Sequence, residues 1–391
     1  MKRRTLLASS LAVAGCAPVP RQAAAPEAPA QQARLLQLPP GVHDERAAFA
    51  ALMRRELQHG TQREVQPSTQ PPAPLPAAAA AGPGSELAAW LHEVPAAPTP
   101  PPARLRSLDQ AFSARCSATT VLLVPGLFGD CVGSQSVPFG DGLVRTRERE
   151  AVESYAAYAD LGLHGLRMVP LPGRGAVAAN GALLAEVLQA EAARPGVRHL
   201  VLVGYSKGLP DALQALALLQ AAGRLPAAVQ ALVSVAGVVQ GTPLAEQFGS
   251  LYAALSPHWQ PEGCSPSDGS ELADLTREAR LRWLAAHPLP PRVQRYSLLA
   301  WAEPWEMALP LRLTHALLRR HGVRNDGQLL AEDAILPGST LLATARSDHW
   351  DIALPRDRHP SALARGIGSG RHYPREALLR ATLRWVVAHL G

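Results

Sequence analysis

The sequence predicts an α/β fold: a doubly wound, mostly parallel sheet with helices on both faces and a helical cap. Three observations predict it. Short apolar runs recur from about residue 117 onward, and they are apolar throughout rather than alternating. That is the pattern of strands buried on both faces, as in parallel sheets. Helical patterns lie between several of them. Finally, the alternation breaks between about 242 and 292, where an insertion belongs.

In order, the expected strands are "TTVLLVPG", "GLRMVPLPG", "HLVLVGYS", "ALVSVAG", "RYSLLAW" and "STLLATA". The expected helices include "NGALLAEVLQAEAARPG" and "LPDALQALALLQAAG", each closed by glycine. The stretch at 242–292 carries helical pieces, Trp259, Trp283 and a polar "EGCSPSDGS" loop. Four of the seven tryptophans fall between 259 and 305. This reads as a cap over the carboxyl edge of the sheet, with the aromatics also forming the cap's own core. Residues 106–391 are thereby assigned to one domain.

The first quarter of the chain is different. Seventeen of 37 prolines lie between Pro18 and Pro102, alongside Ala and Gln, as in "PPAPLPAAAAAGPG". Such composition buries too little apolar surface to offset chain entropy, so 16–105 is expected to be a spacer. Two helical patterns interrupt it, "DERAAFAALMRRELQHG" and "SELAAWLHEV", the first suited to docking on the main domain.

Residues 1–15 read as an address. "MKRR" is a charged start, and the apolar "TLLASSLAVAG" is about half of the ~20 residues a transmembrane helix requires. Val13-Ala14-Gly15-Cys16 resembles a bacterial lipoprotein signal, which implies lipidation of Cys16, export and anchoring in the cell envelope. Arg3-Arg4-Thr5-Leu6-Leu7 resembles a twin-arginine export signal. An ordinary secretory signal with an incidental cysteine is the alternative. Export leaves Cys116, Cys131 and Cys264, hence at most one internal disulfide. The strand between Cys116 and Cys131 would hold its ends about 23 Å apart, whereas a bridge needs Cα atoms within about 7 Å. Cys131 with Cys264 is the expected pair.

The net charge of +6 comes from 36 arginines and only two lysines. No dense basic run follows the first four residues, and aromatics make up 5%, so no nucleic-acid partner is expected.

The chemistry centres on Gly204-Tyr205-Ser206-Lys207-Gly208, a G-x-S-x-G motif between an apolar strand and an amphipathic helix. That context is the strand–turn–helix of a nucleophile elbow, whose tight turn needs glycines. Pro210 is compatible with a helix here, because an N–H in the first turn has no intrahelical partner. On this motif and its context, residues 117–391 resemble the α/β-hydrolase superfamily. Asp326 in Asn325-Asp326-Gly327, and His349 in Asp348-His349-Trp350-Asp351, resemble the acid and base motifs of secreted bacterial triacylglycerol lipases. The resemblance implies a serine hydrolase with Ser206, His349 and Asp326 as its triad, acting on small-molecule or lipid esters. Glu303 and Glu306 compete with Asp326 for the acid, and Asp333 and Asp351 are further candidates.

An oxyanion formed by Ser206 would need two preorganised donors. The Lys207 N–H is one. By resemblance the other is the Leu127 N–H in "PGLFGD", with Phe128 as the alternative because Pro125-Gly126 stands where the family commonly has His-Gly. No metal or organic cofactor is expected. The lipases' structural calcium is not carried over, since its ligand pattern has no match here. "GVVQGTPLAE" resembles the lipase segment after the sixth strand but lacks its Pro-His.

The Lys207 side chain has two readings. It is either a solvated helix residue paired with Asp211, in the less favourable orientation for the helix dipole, or a cation at the site's mouth for an anionic substrate. A thioesterase, polyester depolymerase or acyltransferase would use the same triad. A non-catalytic envelope lipoprotein that kept the fold is the rival from another class.

Overall fold

The computed structural model describes residues 36–64, 85–95, 102–130, 137–140, 155–258, 264–267, 269–356 and 368–391. Among the described residues seven strands form one sheet: β1 (His43–Asp44), β2 (Thr119–Val124), β3 (Gly165–Met168), β4 (His199–Tyr205), β5 (Val229–Val235), β6 (Gln294–Trp301) and β7 (Thr340–Arg346). Their order across the sheet is β1-β7-β6-β5-β4-β2-β3. Every pairing is parallel. The fold class read from the sequence is therefore correct, and six of the seven strands coincide with the apolar runs. The seventh, β1, has two residues and no pattern to find; it simply extends the edge beside β7.

Burial on both faces explains the unbroken apolar strands. In β2, Val121 and Leu123 join one core, while Leu122 and Val124 join the other. In β4, Val201, Val203 and Tyr205 face the first core, and Leu200 and Leu202 the second. Successive side chains point to opposite faces, and here both faces are covered.

Among the described residues there are nine helices: α1 (Arg46–Glu64), α2 (Ser85–Ala88), α3 (Pro102–Arg115), α4 (Val177–Ala192), α5 (Gly208–Ala221), α6 (Pro243–Leu255), α7 (Arg277–Ala286), α8 (Leu309–Leu318) and α9 (Arg375–Ala388). On the first face α9 lies between α1 and α3. On the second, α4 packs on α5, and Trp283 of α7 donates from Nε1 to Gln214 of α5 at 2.6 Å.

Within 16–105 both helical patterns form helices, and the first docks on the main domain as its periodicity suggests. Phe49, Leu52 and Met53 of α1 are fully buried against the sheet, and Leu87 and Leu91 join the same core. A buried ion pair ties α1 to the other end of the chain: Arg380 Nε donates to Glu56 at 2.8 Å, and its other nitrogens reach Asp160 at 2.7 and 2.8 Å. Composition averaged over this stretch hides these apolar positions, and the helical periodicity of the first pattern reveals them.

The insertion expected at 242–292 is helical, with α6 and α7 between β5 and β6. Thr242 caps α6 and Thr276 caps α7, each accepting a backbone N–H at 3.3 Å. Cys264 is disulfide-bonded and Cys116 is free. Cys16, Cys131 and Trp259 lie outside the described residues. Ser265 donates its backbone N–H to Asp130 at 3.0 Å, joining the insertion to the loop after β2.

Candidate active site

All strands run parallel, so the loops at their carboxyl ends share one edge, where α/β sheets place their sites. Ser206 follows β4 on that edge with φ of +52°, a value that costs energy for a residue with a Cβ. Three glycines make the turn possible. A Cβ on Gly204 would lie 2.7 Å from the Leu209 Cα, and one on Gly208 would lie 2.2 Å from the Val124 carbonyl oxygen. A Cβ on Gly126 would come within 2.9 Å of the Ser206 Cβ. The motif's glycines are thus dictated by backbone packed on backbone.

His349 follows β7 and bridges the other two residues. Its Nε2 is 2.8 Å from Ser206 Oγ, and its Nδ1 is 2.7 Å from Asp326 Oδ2. All three side chains are buried. Asp326 is fixed in turn: its Oδ1 accepts the Gln328 and Leu329 N–H groups at 2.8 and 2.6 Å. The His349 N–H donates to the Asp326 carbonyl at 2.9 Å, locking the two loops together. A serine whose proton an imidazole can take, with that imidazole held by a carboxylate, is the arrangement of an activated nucleophile.

The competing acids are committed elsewhere. Glu306 accepts from Arg346 Nε at 2.8 Å and Arg371 at 2.6 Å, and Glu303 forms a reciprocal capping box with Glu306. Asp333 pairs with Arg277 at 3.0 Å. Asp351 accepts from Ser369 Oγ.

The loop after β2 distinguishes the two oxyanion candidates. The Phe128 N–H donates to the Gly173 carbonyl at 3.2 Å, with φ of +62° at Phe128, while Gly129 N–H closes the turn onto Gly126 at 3.1 Å. The Leu127 N–H and the Lys207 N–H find no acceptor among the described residues. The Phe128 proton is thus already engaged, whereas the Leu127 N–H is left available.

Lys207 corrects both readings of its side chain. It does pair with Asp211, at 2.8 and 2.9 Å, but the pair is buried rather than solvated. It does not stand at the mouth of the site to meet an anionic substrate. Burial pushes the Asp211 carboxyl up to about 6 despite the lysine.

Two residues of the quoted motifs, Tyr205 and Asp348, make supporting contacts that the motifs do not announce. Tyr205 donates its hydroxyl to the His349 carbonyl at 2.8 Å, and burial holds this phenol well above its usual range, so the proton stays. Asp348 accepts the N–H groups of Ala308, Trp350 and Asp351 at 2.7, 3.0 and 2.8 Å. It thereby fastens the start of α8 to the histidine loop. Burial raises the Asp348 pKa although these donors favour the anion. Among the described residues, no group of three His, Cys, Asp or Glu side chains is placed to hold a metal ion.

No protein-family model matches the chain, and no curated protein matches it. Among solved structures it is similar to a metagenomic carboxyl esterase, with 30% identity and a TM-score of 0.68, over 91% of this chain and 96% of that one. The chain belongs to the α/β-hydrolase family. Within that family it is an ester hydrolase. This α/β-hydrolase is also similar to a mature lipase of Bacillus licheniformis, at 21% identity, 60% and 86% coverage and a TM-score of 0.45. A phospholipase of Legionella pneumophila follows at 14% identity, 56% and 45% coverage and 0.39.

Proposed function

We propose that this ester hydrolase cleaves carboxylic esters through an acyl-enzyme on Ser206. The observation that carries the reading is His349 poised between Ser206 and Asp326 at 2.8 and 2.7 Å. Ser206 Oγ attacks the ester carbonyl carbon as His349 Nε2 takes the hydroxyl proton. Asp326 keeps the imidazole in the tautomer with its acceptor toward the serine and stabilises the cation that forms. The tetrahedral oxyanion is held by the Leu127 and Lys207 N–H groups. His349 then delivers its proton to the departing alkoxide, and water repeats the sequence on the acyl-enzyme to release the acid.

Labelling with a fluorophosphonate tests this directly. Ser206→Ala should abolish both labelling and hydrolysis while the protein stays folded. Asp326→Asn should lower kcat by about 10⁴-fold, and Glu306→Gln should leave it within about twofold. Labelling of a different serine, or a dead Glu306→Gln, would overturn the assignment.

The reading extends to location: export and lipidation of Cys16, which would place the enzyme at the bacterial cell envelope. Val13-Ala14-Gly15 before that cysteine supports it. Mass spectrometry of the mature N-terminus should find an acylated Cys16; an unmodified start at Ala17 or later would overturn it.

A further inference from the structure

The side chain of Lys207 is left unexplained by the chemistry above. Its backbone N–H serves the reaction, and any residue could supply that. Yet the ammonium is carried inward, where only 1% of it is exposed, and it meets a carboxylate as deeply buried. Buried ion pairs are poor devices for stability, since desolvation offsets most of their attraction. This one also has its cation nearer the helix start, the weaker arrangement. Its reason lies in what it touches next.

Asp211 Oδ2 accepts from Asn180 Nδ2 at 2.9 Å, and the same nitrogen donates to the Pro172 carbonyl at 2.9 Å. Pro172 lies in the loop after β3. That loop is wedged between two neighbours. A Cβ on Gly175 would lie 2.5 Å from Asn180 Oδ1, and one on Gly173 would lie 2.5 Å from the Gly129 N and 2.9 Å from the Phe128 carbonyl carbon. The Gly173 carbonyl takes the Phe128 N–H. Phe128 follows Leu127 in the same turn. A continuous chain of polar contacts therefore runs from the lysine on one wall of the oxyanion hole, through Asp211, Asn180 and the 172–175 loop, to the turn that forms the other wall.

We propose that Lys207, Asp211 and Asn180 are positioning residues that fix the separation of the Lys207 and Leu127 amides. The proposal rests on the acyl-enzyme reading. The two amides come from loops after different strands, and neither is held by a hydrogen bond of its own N–H. Preorganisation is what makes such donors effective, so a rigid link behind them is functionally valuable. Asp274 and Arg280 are further charged groups that interact with Asp211, the first disfavouring its anion and the second drawn to it.

Asn180→Ala in the full chain cuts the link and leaves the ion pair. A second variant, Lys207→Met with Asp211→Asn, removes the charges together and leaves an acceptor for Asn180. For each, fluorophosphonate titration counts active sites, and kcat and KM are measured on a soluble ester. The inhibition constant of a trifluoromethyl ketone, whose adduct with serine places an oxyanion in the hole, completes the set. Kcat per titrated site should fall at least tenfold with KM within about twofold. Ketone affinity should weaken by the same factor as kcat/KM. Folded variants with unchanged kcat and ketone affinity would overturn the proposal, whatever their melting temperatures. So would a loss of kcat with ketone binding intact, because the defect would then lie outside the hole. Titration of the unmodified protein comes first: failure to label Ser206 there refutes the acyl-enzyme reading itself, and the relay with it.

Discussion

The elbow helix α5 and the insertion helix α6 are equally apolar in composition, yet they are used in opposite ways. In α5 every residue from Gly208 to Leu213 is buried, including the charged Asp211. In α6 only Pro243 and Ala245 are buried, while Phe248, Leu251 and Leu255 are exposed. The neighbouring α8 repeats the second pattern with Leu309 and Leu313. Behind Ser206, charge lies inside; beyond the site, leucine lies outside. Apolar content thus marks a helix without saying which side of it the protein uses.

The largest effect should come from breaking the buried charge. Lys207→Met leaves the Asp211 carboxylate without its cation, which costs about 3–5 kcal/mol of stability when it must remain ionised. Adding Asp211→Asn should restore most of the loss. The effect has a pH sign. Burial holds the folded Asp211 pKa near 6, above its unfolded value of 3.8, so the folded state keeps this proton more firmly. Stability from this group is full below the unfolded pKa and falls as pH rises through the folded one. The Lys207→Met penalty should accordingly be greater at pH 8 than at pH 5, measured by urea unfolding. A penalty independent of pH would mean that Asp211 finds another cation.

A second contrast is purely apolar. Leu216 of α5 is 1% exposed and Leu251 of α6 is 59% exposed. Leu216→Ala should cost about 2–5 kcal/mol through lost burial and a residual cavity. Leu251→Ala should stay within about 0.5 kcal/mol, as surface changes do. Equal losses in thermal or urea unfolding would show that the α6 face is covered in solution.

The same contrast marks what could be read from the sequence. Strands β2 to β7 were legible because burial on both faces writes an unbroken apolar run. Ser206 and His349 are legible as candidates because elbow and loop have local signatures, and the Asn-Asp-Gly turn is the local mark of Asp326 that Glu303 and Glu306 lack. The supports were not legible. Asn180 sits in an ordinary helix, Tyr205 reaches a carbonyl 144 residues away, and the partner of Glu56 lies 324 residues on. Such contacts arise only when the sheet assembles, and periodicity within one segment has no access to them. The inward turn of Lys207 belongs here too: i,i+4 spacing gave the pair, but only packing of α4 on α5 decides that the pair is dry.

The smallest expected effect completes the contrast between the two regions. Glu278 and Arg282 of α7 form the mirror of the Lys207–Asp211 pair. Both pairs are i,i+4, but Glu278 stands nearer the helix start, where the dipole favours an acid. Their side chains are 80% and 71% exposed, against 1% for each member of the buried pair. Orientation favours the α7 pair; dielectric favours the α5 pair. Magnitude decides between them. An exposed helical pair is worth about 0.3–0.5 kcal/mol, and salt screens it over a Debye length of about 8 Å at physiological ionic strength. A double-mutant cycle on Glu278→Gln and Arg282→Gln should therefore give coupling of that size, fading toward zero in 1 M salt. The cycle on Lys207→Met and Asp211→Asn should give several-fold more, and salt should barely change it. If the α7 coupling matched the buried one, orientation rather than burial would govern these pairs, and the distinction between the elbow helix and the insertion would fail at its electrostatic end.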